Sequence, residues 1–294
     1  MIMTQKIFDY IIYPANLLGC VIAIKKAQAG SSVLLMNNYG FAGGDLTHSL
    51  ACYQYIEKEN SSTITQDIFN RIISKRNSVF YNKDKNFVLN PESIKIAFQE
   101  ILEENGIEVL FHVLPISIQQ EEEIKNVFLS AREGTIVKKS LNVIDTSENY
   151  SLLRFVDSKK KLVKCSFNIF ICQNSSQKSV DFEKIISHNL IEKYVLLDDN
   201  RYWISLKIPI ENELFIENKA QEILNKFESF VLENGGRIQL VAPQTQKIYQ
   251  LENFSSENKI VFHPKEKMTK KLSETEIFLE SSYIEKEMIE SYVK

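Results

Sequence analysis

Three groups of residues in this 294-residue chain have types and spacings that could do chemistry. The first is "GGDLTH", in which Gly43 and Gly44 are followed by Thr47 and His48. An imidazole just beyond a glycine turn is placed to exchange a proton with a small molecule held over that turn. The plainer expectation is a loop histidine making an ordinary hydrogen bond, and no other residue stands out as catalytic. His112, in "EVLFHVLP", alternates with apolar residues and is expected as a core or edge histidine within a strand; His188 and His263 have no recognisable partner spacing.

The second group is the corner "YPANLLG", with Pro14, Asn16 and Gly19, lying between an apolar run and a helical pattern. A helix start offers free N–H groups and the positive end of its dipole to an anion. Proline fixes φ and has no N–H to give, and an asparagine side chain takes up room that a phosphate would need. The third group is the cysteines, Cys20, Cys52, Cys165 and Cys172, which show no C-x-x-C spacing. They are expected to be reduced structural thiols, with no metal centre and no disulfide framework; Cys52 lacks both a partner cysteine and an adjacent base.

Thirty-five basic and 38 acidic residues give a net charge of −3, with neither sign gathered into a block. Nothing in that balance points to a nucleic-acid partner. The apolar run from Ile7 to Ile24 is interrupted by Pro14 and Asn16, and no small-residue cleavage site follows it. It is expected to be a buried strand and helix, not a signal peptide or membrane span, with the cytoplasm as the default location.

These residues need elements to position them. Residues 7–13 have the apolar, β-branched and aromatic character of a central parallel strand. A helix from Leu17 closing near Gly30 and a strand in "SSVLLMNN" complete a βαβ unit. "TITQDIFNRIIS" spaces its apolar residues three or four apart, and Asn90-Pro91 opens a helix whose face is Ile94, Ala97, Phe98, Ile101 and Leu102, with Gly106 as its stop. Strands follow in "GIEVLFHVLPISIQQ". A meander turns at Glu133-Gly134 and returns through Leu141–Asp145. Further on come a hairpin turning at Asp198-Asp199-Asn200, a helix ending at Gly235, a strand in "RIQLVAP" and a charged helix from about 265. Arg201, Tyr202 and Trp203 either line a substrate face or pack against the helix of residues 212–233, the second being the expectation.

The pieces "DYIIYPANLLGCVIAIKKAQAG", "VLLMNNYGFAGGDLTHSL", "LNPESIKIAFQEILEENGIEVLFHVLPISI" and "LNVIDTSENYSLL" come in an order and spacing that resembles the FAD-dependent oxidoreductases of the two-dinucleotide-binding-domain flavoprotein group. The resemblance covers about the first 150 residues. It implies an α/β protein with a Rossmann-like FAD/NAD(P)-binding fold, a central parallel sheet, a small antiparallel meander and a second α+β part. The expected division is a 1–150 FAD-binding-like domain, with an inserted segment at about 48–88, and a 151–294 part resembling a substrate domain.

Carried over residue by residue, the resemblance also marks the cofactor site and its departures. The three glycines of the family's phosphate loop fall on Pro14, Asn16 and Gly19, so only the glycine for helix packing remains. The acidic ribose clamp becomes Asn37, which lacks the charge. The residue that pairs adenine through its amide becomes Pro115, which has no N–H. Glu148 stands in "DTSE" where the family has a glycine beside the pyrophosphate. Gly43, Gly44 and Thr47 match the second glycine loop. No late glycine motif that would close over a flavin is found, since the last glycines are Gly235 and Gly236.

The function these readings imply is an FAD-dependent-oxidoreductase-like protein whose own FAD site is degraded, acting as a non-catalytic partner or regulatory subunit, for example of an intact flavoenzyme. The alternatives are an active FAD-dependent oxidoreductase of a small organic substrate with an atypical flavin site, and a module that reuses the nucleotide cleft for another small ligand.

Overall fold

A computed structural model describes residues 6–56, 63–149, 151–152, 159–174, 180–253 and 261. The chain opens as β1 (Ile7–Tyr13), α1 (Leu17–Gln28) and β2 (Val33–Met36), followed by a short α2 (Asp45–His48). Eight residues of α1, Leu17 to Ile24, are buried. That all-round burial is what a crossover helix pressed against its own sheet requires. Gly30, with φ of +86°, ends the helix in the left-handed region that glycine adopts without penalty.

Next come β3 (Tyr53–Tyr55), α3 (Thr63–Ser74), β4 (Val79–Lys83) and β5 (Asn86–Leu89), whose strands form a small sheet ordered β3-β5-β4. The helix signal at Asn90 holds: α4 (Pro91–Glu104) has Asn90 accepting from the Glu92 N–H and proline in its first turn. β6 (Glu108–Leu110), β7 (Leu114–Glu121), β8 (Ile124–Ala131) and β9 (Gly134–Asp145) then complete the main sheet.

That sheet is ordered β6-β2-β1-β9-β8-β7, and β6, β2, β1 and β9 run parallel while β7 and β8 form the antiparallel meander. The architecture is the expected Rossmann-like one. One expectation fails locally: β6 stops at Leu110, and His112 is exposed in the turn before β7 with φ of +56°. The chain must reverse there from a parallel strand into a meander, and the alternation of apolar residues around His112 spans two strands rather than one.

The remaining elements are β10 (Lys159–Gln173), α5 (Phe182–Ile186), β11 (Ile191–Asp198), β12 (Arg201–Lys207), α6 (Ile216–Glu233), β13 (Gly236–Val241) and β14 (Gln246–Asn253). They form a second sheet ordered β11-β12-β10-β13, with β14 also paired to β10. The charged helix expected from about 265 lies outside the described residues.

Two buried clusters hold the fold together. One packs α1, α3 and α4 against a face of the main sheet through Leu17, Phe69 and Phe98. The other runs from β1 through β8 to β10, β12 and α6, joining Phe8 and Val127 to Phe167, Trp203 and Phe227. No described helix is long and apolar enough to cross a membrane.

Candidate functional site

The end of β1, the start of α1 and the loop after β2 meet at one cleft. β1 ends in a cis Tyr13–Pro14 peptide. Asn16 then caps α1: its Oδ1 accepts from the Gly19 N–H at 2.8 Å, and its Nδ2 donates to the Thr146 carbonyl at 2.6 Å. Gly19 must be glycine, because a Cβ there would lie 2.2 Å from the Pro14 carbonyl oxygen. The packing role expected of this residue therefore has a physical cause in its own loop.

The glycine loop faces the same corner. Gly43 donates its N–H to the Ala15 carbonyl at 2.8 Å, and Asn16 and Gly43 form an isolated parallel bridge. Gly43 and Gly44 have φ of +118° and +59°. A Cβ on Gly44 would stand 2.4 Å from the Asn16 Cβ, so the space that glycine leaves open is taken by asparagine. Among the described hydrogen bonds, none uses the Leu17 or Leu18 N–H groups at the helix start.

Beyond the loop, α2 presents Asp45 and His48. Asp45 Oδ1 accepts from the Ser49 hydroxyl at 3.1 Å and lies 3.0 Å from His48 Nε2, while His48 Nδ1 is buried without a partner. That arrangement suits an imidazole carrying its proton on Nε2 and donating it to Asp45. The Tyr39 ring stacks on His48 with centroids 4.7 Å apart.

The opposite wall comes from the second sheet and α6. Lys247 Nζ is 2.7 Å from Glu217 Oε1, which also accepts from the Thr245 hydroxyl at 2.6 Å. Burial works to raise the Glu217 pKa, but these two hydrogen bonds hold its carboxyl below the usual range. Burial, helped by the nearby carboxylates of Glu217 and Asp45, pushes the Tyr39 phenol up, and its hydroxyl donates to Gln244. Trp203 Nε1 donates to the Leu50 carbonyl at 2.9 Å and Asn168 Nδ2 to the Ser49 carbonyl at 2.7 Å, tying the chain after α2 to the second sheet.

The resulting cleft has a volume of about 170 Å³. Of the residues marked from sequence, Pro14, Asn16, Gly43, Gly44, His48 and Glu148 line it. Gly19, Asn37, Thr47 and Pro115 are buried and are not among the residues that line it. Asn37, only 1% exposed, gives its side-chain amide to the Phe41 carbonyl and so holds its own loop. Thr47 donates to the Gly44 carbonyl, and Pro115 pairs with Leu129 in the meander.

Glu217, Gln244, Thr245 and Lys247 also line the cleft and carry no sequence signal, because they come from α6, the turn between β13 and β14, and β14, far along the chain from the loop. Tyr202 packs on Phe182 and Trp203 on Tyr53; Trp203 belongs to, and Tyr202 packs against, the buried cluster that also holds Phe227 of α6. Cys52 is buried, donates to the Leu46 carbonyl, and is pushed by burial far above the thiolate range; all four thiols are free. Among the described residues, no group of three possible ligands could hold a metal ion.

A parallel sheet crossed by α1, with a glycine loop folded over the helix start, defines a Rossmann-like fold of the flavoprotein kind. Residues 9–162, more than half of the chain, match the family described as FAD dependent oxidoreductase, and the chain belongs to that family. Solved structures share the fold at low identity. They include p-nitrophenol 4-monooxygenase PnpA from Pseudomonas putida DLL-E4, at 11% identity, TM-score 0.57, and 88% of this chain against 72% of that one. An aklavinone-11 hydroxylase solved in a ternary complex with FAD and aklavinone matches at 11% identity and TM-score 0.58, over 89% of this chain and 57% of its own. The myxobacterial chondrochloren halogenase CndH, an FAD-dependent halogenase variant, matches at 13% and 0.58, over 88% and 68%. The chain thus spans between 57% and 72% of the length of these three proteins. No curated protein sequence matches it.

Proposed function

We propose that this member of the FAD-dependent oxidoreductase family no longer holds FAD in its own cleft and serves in the cytoplasm as a non-catalytic partner or regulatory subunit, such as that of an intact flavoenzyme. The observation that carries the reading is Asn16. Its side chain takes the Gly19 amide at the helix start and fills the space above Gly44, the two features that let a phosphate approach such a corner. The residues present therefore do not fit a diphosphate. Among the described residues, Asp45, Glu148 and Glu217 line the cleft with Lys247 as the one ammonium, which sets carboxylates against phosphates. The volume of 170 Å³ is below the roughly 300–1,000 Å³ of ordinary ligand pockets, and a dinucleotide is a large ligand.

A second reading, an active FAD-dependent oxidoreductase of a small organic substrate, draws on the glycine loop, where Gly43 and Gly44 keep their positive φ. One measurement separates the two. The purified protein is expected to be colourless and to show no rise in melting temperature with added FAD, since a ligand that binds only the native state must stabilise it. Stoichiometric flavin in the purified protein would sink the first reading. Pro14→Gly, Asn16→Gly and Asn37→Glu combined is the gain-of-binding test: flavin bound by that variant and not by the parent would mean that these three positions limit binding.

A further inference from the structure

We propose that the exposed apolar turn between β12 and α6 is the docking site for this chain's own residues 264–272, which cover it in the folded protein. The proposal does not depend on whether FAD binds. Its first support is a turn that faces water with apolar side chains. Ile208 and Ile216 are buried in the cluster shared by the two sheets. Between them, Ile210, Leu214 and Phe215 are exposed, Leu214 at 87% and Phe215 at 60%. Single apolar residues are ordinary on a surface, but three within one short turn form a patch of the kind that marks a contact. Beside them lies a groove of about 320 Å³, lined by Pro209, Glu211 and Phe215 and by Asn218, Lys219 and Glu222 of α6.

The course of the chain says which segment is at hand. Lys247 Nζ lies 2.7 Å from Glu217 Oε1, and the Tyr249 hydroxyl donates to Glu213 Oε1 at 2.7 Å. β14 therefore runs back from the first turn of α6 toward the exposed turn, and its end points at that patch. Val261, 2% exposed, belongs to the same cluster as Ile208, Ile216 and Tyr249, and so anchors the chain to the body again. Residues 264–272 follow directly from that anchor. Their effective concentration at a nearby face is on the order of millimolar, so a contact too weak to hold a separate protein suffices.

Charge complementarity selects the occupant. Residues 209–222 carry Glu211, Glu213, Glu217 and Glu222 against Lys219, whose Nζ stays 3.7 Å from Glu211 and 3.8 Å from Glu222. Lys247 offsets Glu217, which leaves the rim of the groove acidic. Residues 264–272, PKEKMTKKL, carry Lys265, Lys267, Lys270 and Lys271 against Glu266, with Met268 and Leu272 as apolar partners for Leu214 and Phe215. Docking thus pairs opposite charges and covers apolar surface at once. A second copy pairing through this face would set one acidic rim against another, which like-charge repulsion opposes.

The test is zero-length carbodiimide cross-linking and limited trypsin digestion of the full chain, both read by mass spectrometry. Within the monomer, cross-links are expected from Lys267, Lys270 or Lys271 to Glu211 or Glu222. Cleavage after those lysines is expected to be at least about tenfold slower than in a free peptide of residues 262–276, because cleavage follows the population of the undocked form. Leu214→Asp, a change at an exposed position, is expected to leave the urea midpoint in place, abolish the cross-links and bring cleavage to the peptide's rate. Lys270→Glu with Lys271→Glu, which alters only the segment, is the second variant should the first fold poorly, and is read by cleavage after Lys267. Cleavage of the parent at the peptide's rate, cross-links found only between two chains, or protection unchanged in both folded variants would each overturn the proposal.

Discussion

At the residue scale, Asn16 and Gly19 show how one corner satisfies itself. Gly19→Ala would force a Cβ to within 2.2 Å of a backbone oxygen, which nothing flexible can relieve. The variant is expected to lose about 1–3 kcal/mol of unfolding free energy by chemical denaturation, the range for overpacked sites. Glu217 makes a pH prediction. Its folded pKa is depressed, so its contribution to stability is present above the unfolded value near about 4.3 and is lost as pH falls through the lower folded value. The stability gap between the parent and Glu217→Gln is expected to be full at neutral pH and to shrink on acidification below the unfolded value, read from urea midpoints across that range.

At the element scale, helix punctuation was the most legible part of the sequence. Asn90-Pro91 announced α4, and Gly30 and Gly106 closed helices with positive φ, because caps and glycine stops are local physics. Asn90→Ala removes the acceptor for the Glu92 N–H and is expected to cost about 1 kcal/mol, measured by thermal or urea denaturation. The glycine loop and the corner at Pro14 were also legible, since their residue types restrict backbone and room. What was not legible came from tertiary placement. His112 sits in a turn because the sheet changes direction there, and the Glu217–Lys247 wall reaches the cleft only through the packing of α6 and β14. Buried Asn37 shows the same limit: its position at the end of β2 was readable, but the loop carbonyl that claims its side chain was not.

At the scale of the whole molecule, the cluster from Phe8 to Phe227 makes the main sheet and the second sheet share one interior. Trp203, the single tryptophan, sits in that interior and donates across it to Leu50. Its fluorescence and the far-UV circular dichroism are expected to report one coincident unfolding transition, and separate transitions would show that the two sheets come apart independently. Trp203→Phe leaves the Leu50 carbonyl without this donor and is expected to lower stability by about 1–3 kcal/mol in the same assay.

The cap at Asn16 has a consequence for how such a protein lives in a cell. A flavoprotein draws part of its stability from its cofactor and grows fragile when the vitamin precursor is scarce. Here the Gly19 amide at the start of α1 is satisfied by the chain's own asparagine. Under the function proposed above, the level of this polypeptide in riboflavin-starved cells is expected to stay unchanged through a shortage that would deplete a cofactor-dependent relative.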